Sequence, residues 1–257
     1  MKSFTATALE HFPLVKGGDD VAKAIVDACR KECFELEDGD VIAIAQKIFS
    51  KAENRIVRLR DVKPSPEAQD LARVVKKSPR FVQMILGETS EILKAKPDVL
   101  LVEDKRGLVC INAGIDKSNV EGKGNFALLP VDPDESARKC RSEIKRLLGR
   151  DVAVVVCDTY SRPFRRGQVN YAIGFAGIRP FRDYRGKKDM FGQILKVKNV
   201  AIIDEVAAAA ELLMGQAQEA MPVVIFKGTK NLFETCENCG LKDLGISRNE
   251  DLFKGAL

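Results

Sequence analysis

Residues 152–168 read VAVVVCDTYSRPFRRGQ, and no other stretch constrains the fold as tightly. Val152 to Cys157 form an apolar, largely β-branched run of six residues, the signature of a buried strand. The run stops abruptly at Asp158 and Thr159, and Arg162, Arg165, Arg166 and Gly167 follow. A buried strand thus delivers a carboxylate and a hydroxyl to its C-terminal edge, with guanidinium groups just beyond. Carboxylate and hydroxyl oxygens suit a hard divalent cation. Arginine forks suit phosphate and carboxylate groups. Metal beside an anion site is what an enzyme handling nucleoside triphosphates needs.

The rest of the chain alternates strand and helix signals without strict βαβ order. Residues 12–15 (FPLV) read as an extended segment, and Gly17-Gly18 breaks the chain. Asp19 or Asp20 caps a helix with Val21, Ile25, Ala28 and Cys29 at helical spacing. A strand is expected over 41–49 and helices over 66–77 and 80–86. Segments 99–103 and 108–112 flank Asp104-Lys105-Arg106-Gly107 as a hairpin. A helix over 133–148 is closed by Gly149, and strands are expected over 172–177, 195–203 and 222–226. Between the last two lies a helix capped by Asp204-Glu205 and stopped by Gly215. This irregular mixture predicts an α+β fold of mixed sheets with packed helices.

Composition narrows the partners. The 257 residues carry 42 basic and 37 acidic side chains, a net charge of +5 spread along the chain rather than gathered in a stripe. Aromatics are 6% and tryptophan is absent, so small anionic ligands fit better than nucleic acid. No stretch approaches the roughly 20 apolar residues of a membrane span, and the first residues lack signal-peptide character. Seven cysteines, an odd number mostly within apolar runs, argue against a disulfide framework and for a cytoplasmic protein.

Neither GxxxxGK[ST] nor a GxGxxG after a strand occurs, and Gly122-Lys123-Gly124 reads as a plain turn. Three candidate cation sites stand at element ends: Asp116 in the 112–119 loop NAGIDKSN, Asp158-Thr159, and Gln216 with Glu219 in the 214–221 loop. All-oxygen donors point to Mg²⁺ or Mn²⁺ rather than zinc. Each is, taken singly, also an ordinary cap or turn residue. Gln46, Lys47 and Lys51 cluster around the end of the 41–49 strand, where Lys51 is placed to reach a phosphate. Cys236 and Cys239 resemble half a zinc knuckle, but no second pair follows and the sole histidine, His11, lies far away. A non-functional cysteine pair and a packing histidine are the expectation.

Six segments taken in order resemble the coenzyme F420-0:L-glutamate ligase family. They are FPLV (12–15), AQKIFSKAE (45–53), NAGIDKSN (112–119), DTYSRPFRRGQ (158–168), AIGFAGI (172–178) and DEVAAAAELLMG (204–215). They span about residues 10–228, which gives a ligase-like domain over 1–228, with room for two subdomains, and a C-terminal tail over 229–257. The resemblance implies attachment of L-glutamate to an F420-0-like acidic acceptor through an acyl phosphate, with GTP as co-substrate. It implies Mg²⁺ or Mn²⁺ and leaves room for a monovalent cation. By position it implies metal binding by Asp116, Asp158, Thr159 and Gln216. It places the nucleotide at Phe12, Pro13, Leu14, Val15, Gln46, Lys47, Lys51 and Asn119, and at Met214, Gly215, Gln216, Ala217, Gln218, Glu219, Ala220 and Met221. It also implies a two-part protomer in an intertwined homodimer, outside the P-loop and ATP-grasp folds. Arg162, Arg165 and Arg166 are expected to hold the acidic substrate or the transferring phosphoryl group. Gln216, Ser161 and Asn54 depart from the residues common in the family. Those departures leave open a γ-glutamyl ligase for a folate or pterin, and a non-catalytic nucleotide-binding dimer.

Overall fold

The computed structural model describes residues 3–247 and 249–251. In chain order its elements begin with β1 (Thr5–Ala8), α1 (Val21–Lys31), β2 (Val41–Ala45), α2 (Gln46–Ala52) and β3 (Ile56–Arg58). Then come α3 (Pro66–Val75), α4 (Pro79–Glu88), β4 (Thr89–Lys96), β5 (Val99–Asp104), β6 (Val109–Ile111) and β7 (Asn125–Ala127). The last third holds α5 (Pro133–Leu148), β8 (Ala153–Arg162), β9 (Arg165–Ala176), β10 (Phe181–Asp183), β11 (Asn199–Ala201), α6 (Ile202–Met214) and β12 (Val223–Lys227). The class is α+β with mixed sheets. No helix among the described residues is long and apolar enough to cross a membrane.

A five-stranded sheet, ordered β1-β12-β2-β8-β9, forms the centre. Only β2 and β8 of its neighbours run parallel, with Val41 opposite Ala153 and Ala45 opposite Cys157. Both strands are apolar on both faces because both faces are covered. Ile42, Ile44, Val154 and Val156 point into a core built with α1 and α5. Their neighbours Val41, Ala43, Val155 and Cys157 point into a second core under α6. This period-two division turns one valine run into the shared wall of two cores.

Capping fixes where the covering helices begin and end. The Asp20 side chain accepts from Lys23 N, and Asp132 accepts from Glu135 N with Pro133 in the first turn. Gly149 closes α5 at φ 68°, a left-handed conformation that suits glycine. Helix α5 lies so close to β9 that a Cβ on Gly174 would stand 2.4 Å from Pro133 Cβ and 2.8 Å from Asp134 N. Gly174→Ala is therefore expected to cost about 1–3 kcal/mol by forcing backbone apart. A urea midpoint equal to wild type would contradict this.

A third core packs α3 and α4 on the three-stranded sheet β4-β5-β6. A buried ionic network joins it to the central sheet. Arg106 donates Nε to Asp104 Oδ2 (2.8 Å), Nη2 to Glu88 Oε2 (3.0 Å) and Nη1 to the Pro130 carbonyl (3.2 Å). Arg55 donates to the other Glu88 oxygen at 2.7 Å and to the Leu129 carbonyl at 3.0 Å.

Several expected elements differ in extent. The 41–49 strand ends at Ala45 and becomes α2, whose Ile48, Phe49 and Ala52 continue the apolar pattern at helical spacing. The valine strand does not end at Asp158: β8 runs on to Arg162, paired with β9 as a long hairpin. Within 195–203 only β11 is strand, and α6 already begins at Ile202. Asp204 lies inside that first turn rather than capping it, and accepts from Ala172 N of β9 at 3.0 Å.

Residues 233–244 are tied to the core. Phe233, Cys239 and Leu244 pack on the α6 side. Asp134 accepts from Phe175 N (2.9 Å) and from Leu241 N (2.7 Å), and Arg141 grips Glu237 with both terminal nitrogens. Cys236 and Cys239, expected as a non-functional pair, form a disulfide. One bridge between residues three apart is a local staple rather than a framework, and the other five cysteines are free.

Candidate active site

The parallel pair β2/β8 creates the site. Their C-terminal ends lie side by side, and the chain leaves β2 directly into α2. One pocket at this edge is lined by Asp158, Thr159, Gln46, Lys47, Lys51, Phe12, Pro13, Leu14, Val15 and Asn119. It is also lined by the whole 214–221 loop: Met214, Gly215, Gln216, Ala217, Gln218, Glu219, Ala220 and Met221. Segments far apart in sequence are brought together because strand β2 and helix α6 both end here, beside Asp158 and Thr159 of β8.

The loops around the pocket are braced locally. Asn119 at φ 53° donates Nδ2 to the Ala217 carbonyl at 3.0 Å, tying the 112–119 loop to the 214–221 loop. Gly215 has φ 66°, and a Cβ there would stand 2.3 Å from Glu219 Cδ. Glu219 is held inside its own loop, accepting from Ala217 N at 2.8 Å. Gln46 Oε1 accepts from Ser50 Oγ at 2.6 Å, which leaves the buried Gln46 Nε2 without a partner.

Electrostatics separate the two aspartates. Asp158 is partly buried at the pocket wall, and burial raises its carboxyl from 3.8 to about 7 against opposing help from the Thr159 N–H and Lys47. The nearby Asp116 and Glu211 charges push the same way as burial. Asp116 behaves oppositely. Burial works against its charge, but hydrogen bonds from Lys47 and Ser118 outweigh it and hold the carboxyl below the usual range. Lys47 Nζ stands 2.6 Å from Asp116 Oδ2 and 2.6 Å from Ser118 Oγ. Lys51 is pulled down by burial and then by Lys47, so two ammonium groups face one space.

Asp116 does not line the pocket; it sits behind Lys47 and couples to Asp158 through charge. Arg162, Arg165 and Arg166 do not line it either. Because β8 continues beyond Thr159, they are carried to the hairpin tip, where Arg162 folds back to donate to the Arg166 carbonyl at 3.2 Å. Arg165 and Arg166 are exposed there beside Phe164. Their place at the hairpin tip sets them outside the lining of this pocket. His11 is exposed and faces Glu32 at 3.4 Å, outside the pocket lining.

Two polar residues in the lining escaped the sequence reading. Asn170 of β9 lies opposite Thr159 and is buried, with Nδ2 3.9 Å from Met214 Sδ. Glu211 of α6 accepts from Gln216 Nε2 at 2.8 Å through Oε1, while Oε2 is buried without a partner. Its carboxyl is raised by burial, an effect that the Gln216 hydrogen bond opposes and the Glu219 charge reinforces. An acidic residue in the last turn of a helix that has no basic residue there opposes the helix dipole, and that misfit was the available signal.

Among the described residues no three His, Cys, Asp or Glu side chains form a metal-binding group. Mixed oxygen groups stand at the pocket that could hold a cation: the Asp158 carboxylate, the Thr159 hydroxyl and the Gln216 amide, with the Asp116 carboxylate outside the lining. That chemistry, together with the orphaned Glu211 oxygen, fits a hard cation that takes oxygen ligands.

The profile of the F420-0:Gamma-glutamyl ligase family matches residues 10–228. The Coenzyme F420:L-glutamate ligase of Methanothermobacter thermautotrophicus is 45% identical over 247 residues, covering 96% of this chain and 97% of that protein. The protein of the same name from Methanopyrus kandleri is 45% identical over 232 residues, covering 89% and 90%. That from Methanocaldococcus jannaschii is 41% identical over 244 residues, covering 95% and 94%. The chain is therefore an amide-bond-forming ligase by class. It belongs to the F420-0:gamma-glutamyl ligase family.

Proposed function

We propose that this enzyme adds L-glutamate to coenzyme F420-0 in a reaction driven by GTP and divalent cations. The observation that carries the reading is the meeting, in one pocket, of Asp158 and Thr159 with Lys47, Lys51 and the 214–221 loop. A carboxylate is a poor acyl donor. Transfer of the γ-phosphoryl group to the acceptor carboxylate gives an acyl phosphate, which the glutamate amine attacks with loss of phosphate. Lys47 and Lys51 neutralise phosphate charge from one side, and Asp158, Thr159 and Gln216 would hold the cation on the other. That cation supplies charge neutralisation at the transferring group when bound. The test is mass spectrometry of F420-0 incubated with enzyme, GTP, Mn²⁺ and glutamate. A glutamyl adduct formed with stoichiometric GDP and phosphate is expected. GTP turnover without adduct, or no turnover with all components present, overturns the reading.

The same proposal includes a homodimer. Met190 (96% exposed), Phe191 (89%) and Val197 (88%) are exposed apolar side chains of the 184–198 loop, which a second copy would cover. Met190→Asp combined with Phe191→Asp is expected to yield monomer in sedimentation velocity where wild type sediments as dimer. A wild-type monomer at micromolar concentration rejects the assembly.

A further inference from the structure

Gln216 is a neutral donor, so on its side of the proposed metal site a cation would gain no charge from the ligand itself. Glu219 is the nearest acidic neighbour in sequence, but its Oε2 accepts from Ala217 N at 2.8 Å and is used in shaping the loop. Glu211 is differently placed. It lines the pocket one helical turn earlier, and only one of its oxygens is engaged. That engagement fixes orientation: a carboxylate can only accept, so the Gln216 amide must turn its N–H toward Glu211 and its carbonyl oxygen away. The other oxygen, Oε2, is buried without a partner. The nearest cation acting on Glu211 is Lys47, whose ammonium is already committed to Asp116 and Ser118. A carboxylate at the C-terminal end of α6 also adds to the negative end of the helix dipole, with no basic side chain in that turn. Burial, the Glu219 charge and the helix dipole thus disfavour a negative charge here, the Gln216 hydrogen bond and Lys47 oppose them, and a bound cation would favour it.

We propose that Glu211 is the charge-supplying and positioning residue of the divalent-cation site at Gln216, standing behind that amide. It aims the amide oxygen into the pocket and provides the negative charge that the amide lacks. The inference rests on the divalent-cation reading of the proposed function and deepens it.

Titration of Mn²⁺ alone into the full-length protein, with free Mn²⁺ followed by electron paramagnetic resonance, tests it. Wild type is expected to bind, and Glu211→Gln, nearly identical in shape, to weaken one class of site at least tenfold. Gln216→Glu is expected to tighten that site. Thermal melts of the metal-free proteins give a readout independent of catalysis: Glu211→Gln melts higher than wild type without Mn²⁺ and gains less when Mn²⁺ is added. Glu211→Asp, which keeps the charge, retains Mn²⁺ stabilisation if the glutamine variant fails to fold. Wild-type Mn²⁺ affinity in Glu211→Gln overturns this inference alone. No Mn²⁺ binding by wild type overturns the metal reading and this inference with it.

Discussion

The Asp158→Asn variant will lose ligase activity and, without metal, will be more stable than wild type at alkaline pH. The activity loss is expected on the order of 10²–10³-fold, the range for removing one group that acts on transition-state charge. The gain in stability follows from linkage. The Asp158 carboxyl is raised from 3.8 to about 7 in the folded protein, chiefly by burial. The folded state therefore binds its proton more tightly than the unfolded chain does. Stability contributed by this group is present below the unfolded value and is lost as pH rises through about 7. Asparagine has no charge to bury, so the variant's advantage is absent near pH 4 and complete above pH 8, at roughly 2–4 kcal/mol. Metal-free thermal melts at several pH values measure it. A melting difference that does not change with pH would show that burial of this charge is not what strains the site.

Arg106→Ala should be the most damaging single change outside the pocket. Arg106 is 7% exposed, Asp104 is fully buried and Glu88 is 12% exposed. Removing the arginine leaves two carboxylates in low-dielectric surroundings, a loss of about 3–5 kcal/mol. The network spans α4, the β5–β6 turn and the Leu129–Pro130 strand exit, so the loss uncouples the third core from the central sheet. Urea unfolding with separate probes in each part should show two transitions in the variant. Adding Glu88→Gln should recover part of the loss, because the two residues act as one unit. Strict additivity of the two changes would contradict that description.

The central sheet was legible because its strongest signal is local. Six apolar residues at 152–157 can be little other than a buried strand, and Asp132, Pro133 and Gly149 mark the ends of α5 directly. The β5–β6 hairpin was announced by its charged turn in the same way. The errors arose where one pattern serves two structures. Residues 41–49 are apolar except for Gln46 and Lys47, and apolar Ile48 and Phe49 follow that pair, so the switch from β2 to α2 at Gln46 is easily read as one continuing strand. Strand β8 continues past Thr159 as residues whose exposure rises toward the hairpin tip, and polarity there imitates a turn. That one misreading displaced the arginines. Strand β4 is mostly solvent-facing and carries irregular register with β5, so its sequence TSEILKAK shows no clean alternation. The pocket residues themselves were legible through family resemblance. Glu211 was not, since a single acid on a helix ordinarily marks the solvated face.

The clasp formed by Asp134 has a consequence for where this protein can be cut. One carboxylate accepts from β9 and from Leu241, and Phe233, Cys239 and Leu244 complete the core beneath α6. The family profile ends at residue 228, before any of them. The span of the profile and the span of chain that packs into this core are thus not the same length. A fragment trimmed at residue 228 would expose the flank of the helix that carries Glu211 and leave the Asp134 carboxylate missing one of its two amide donors.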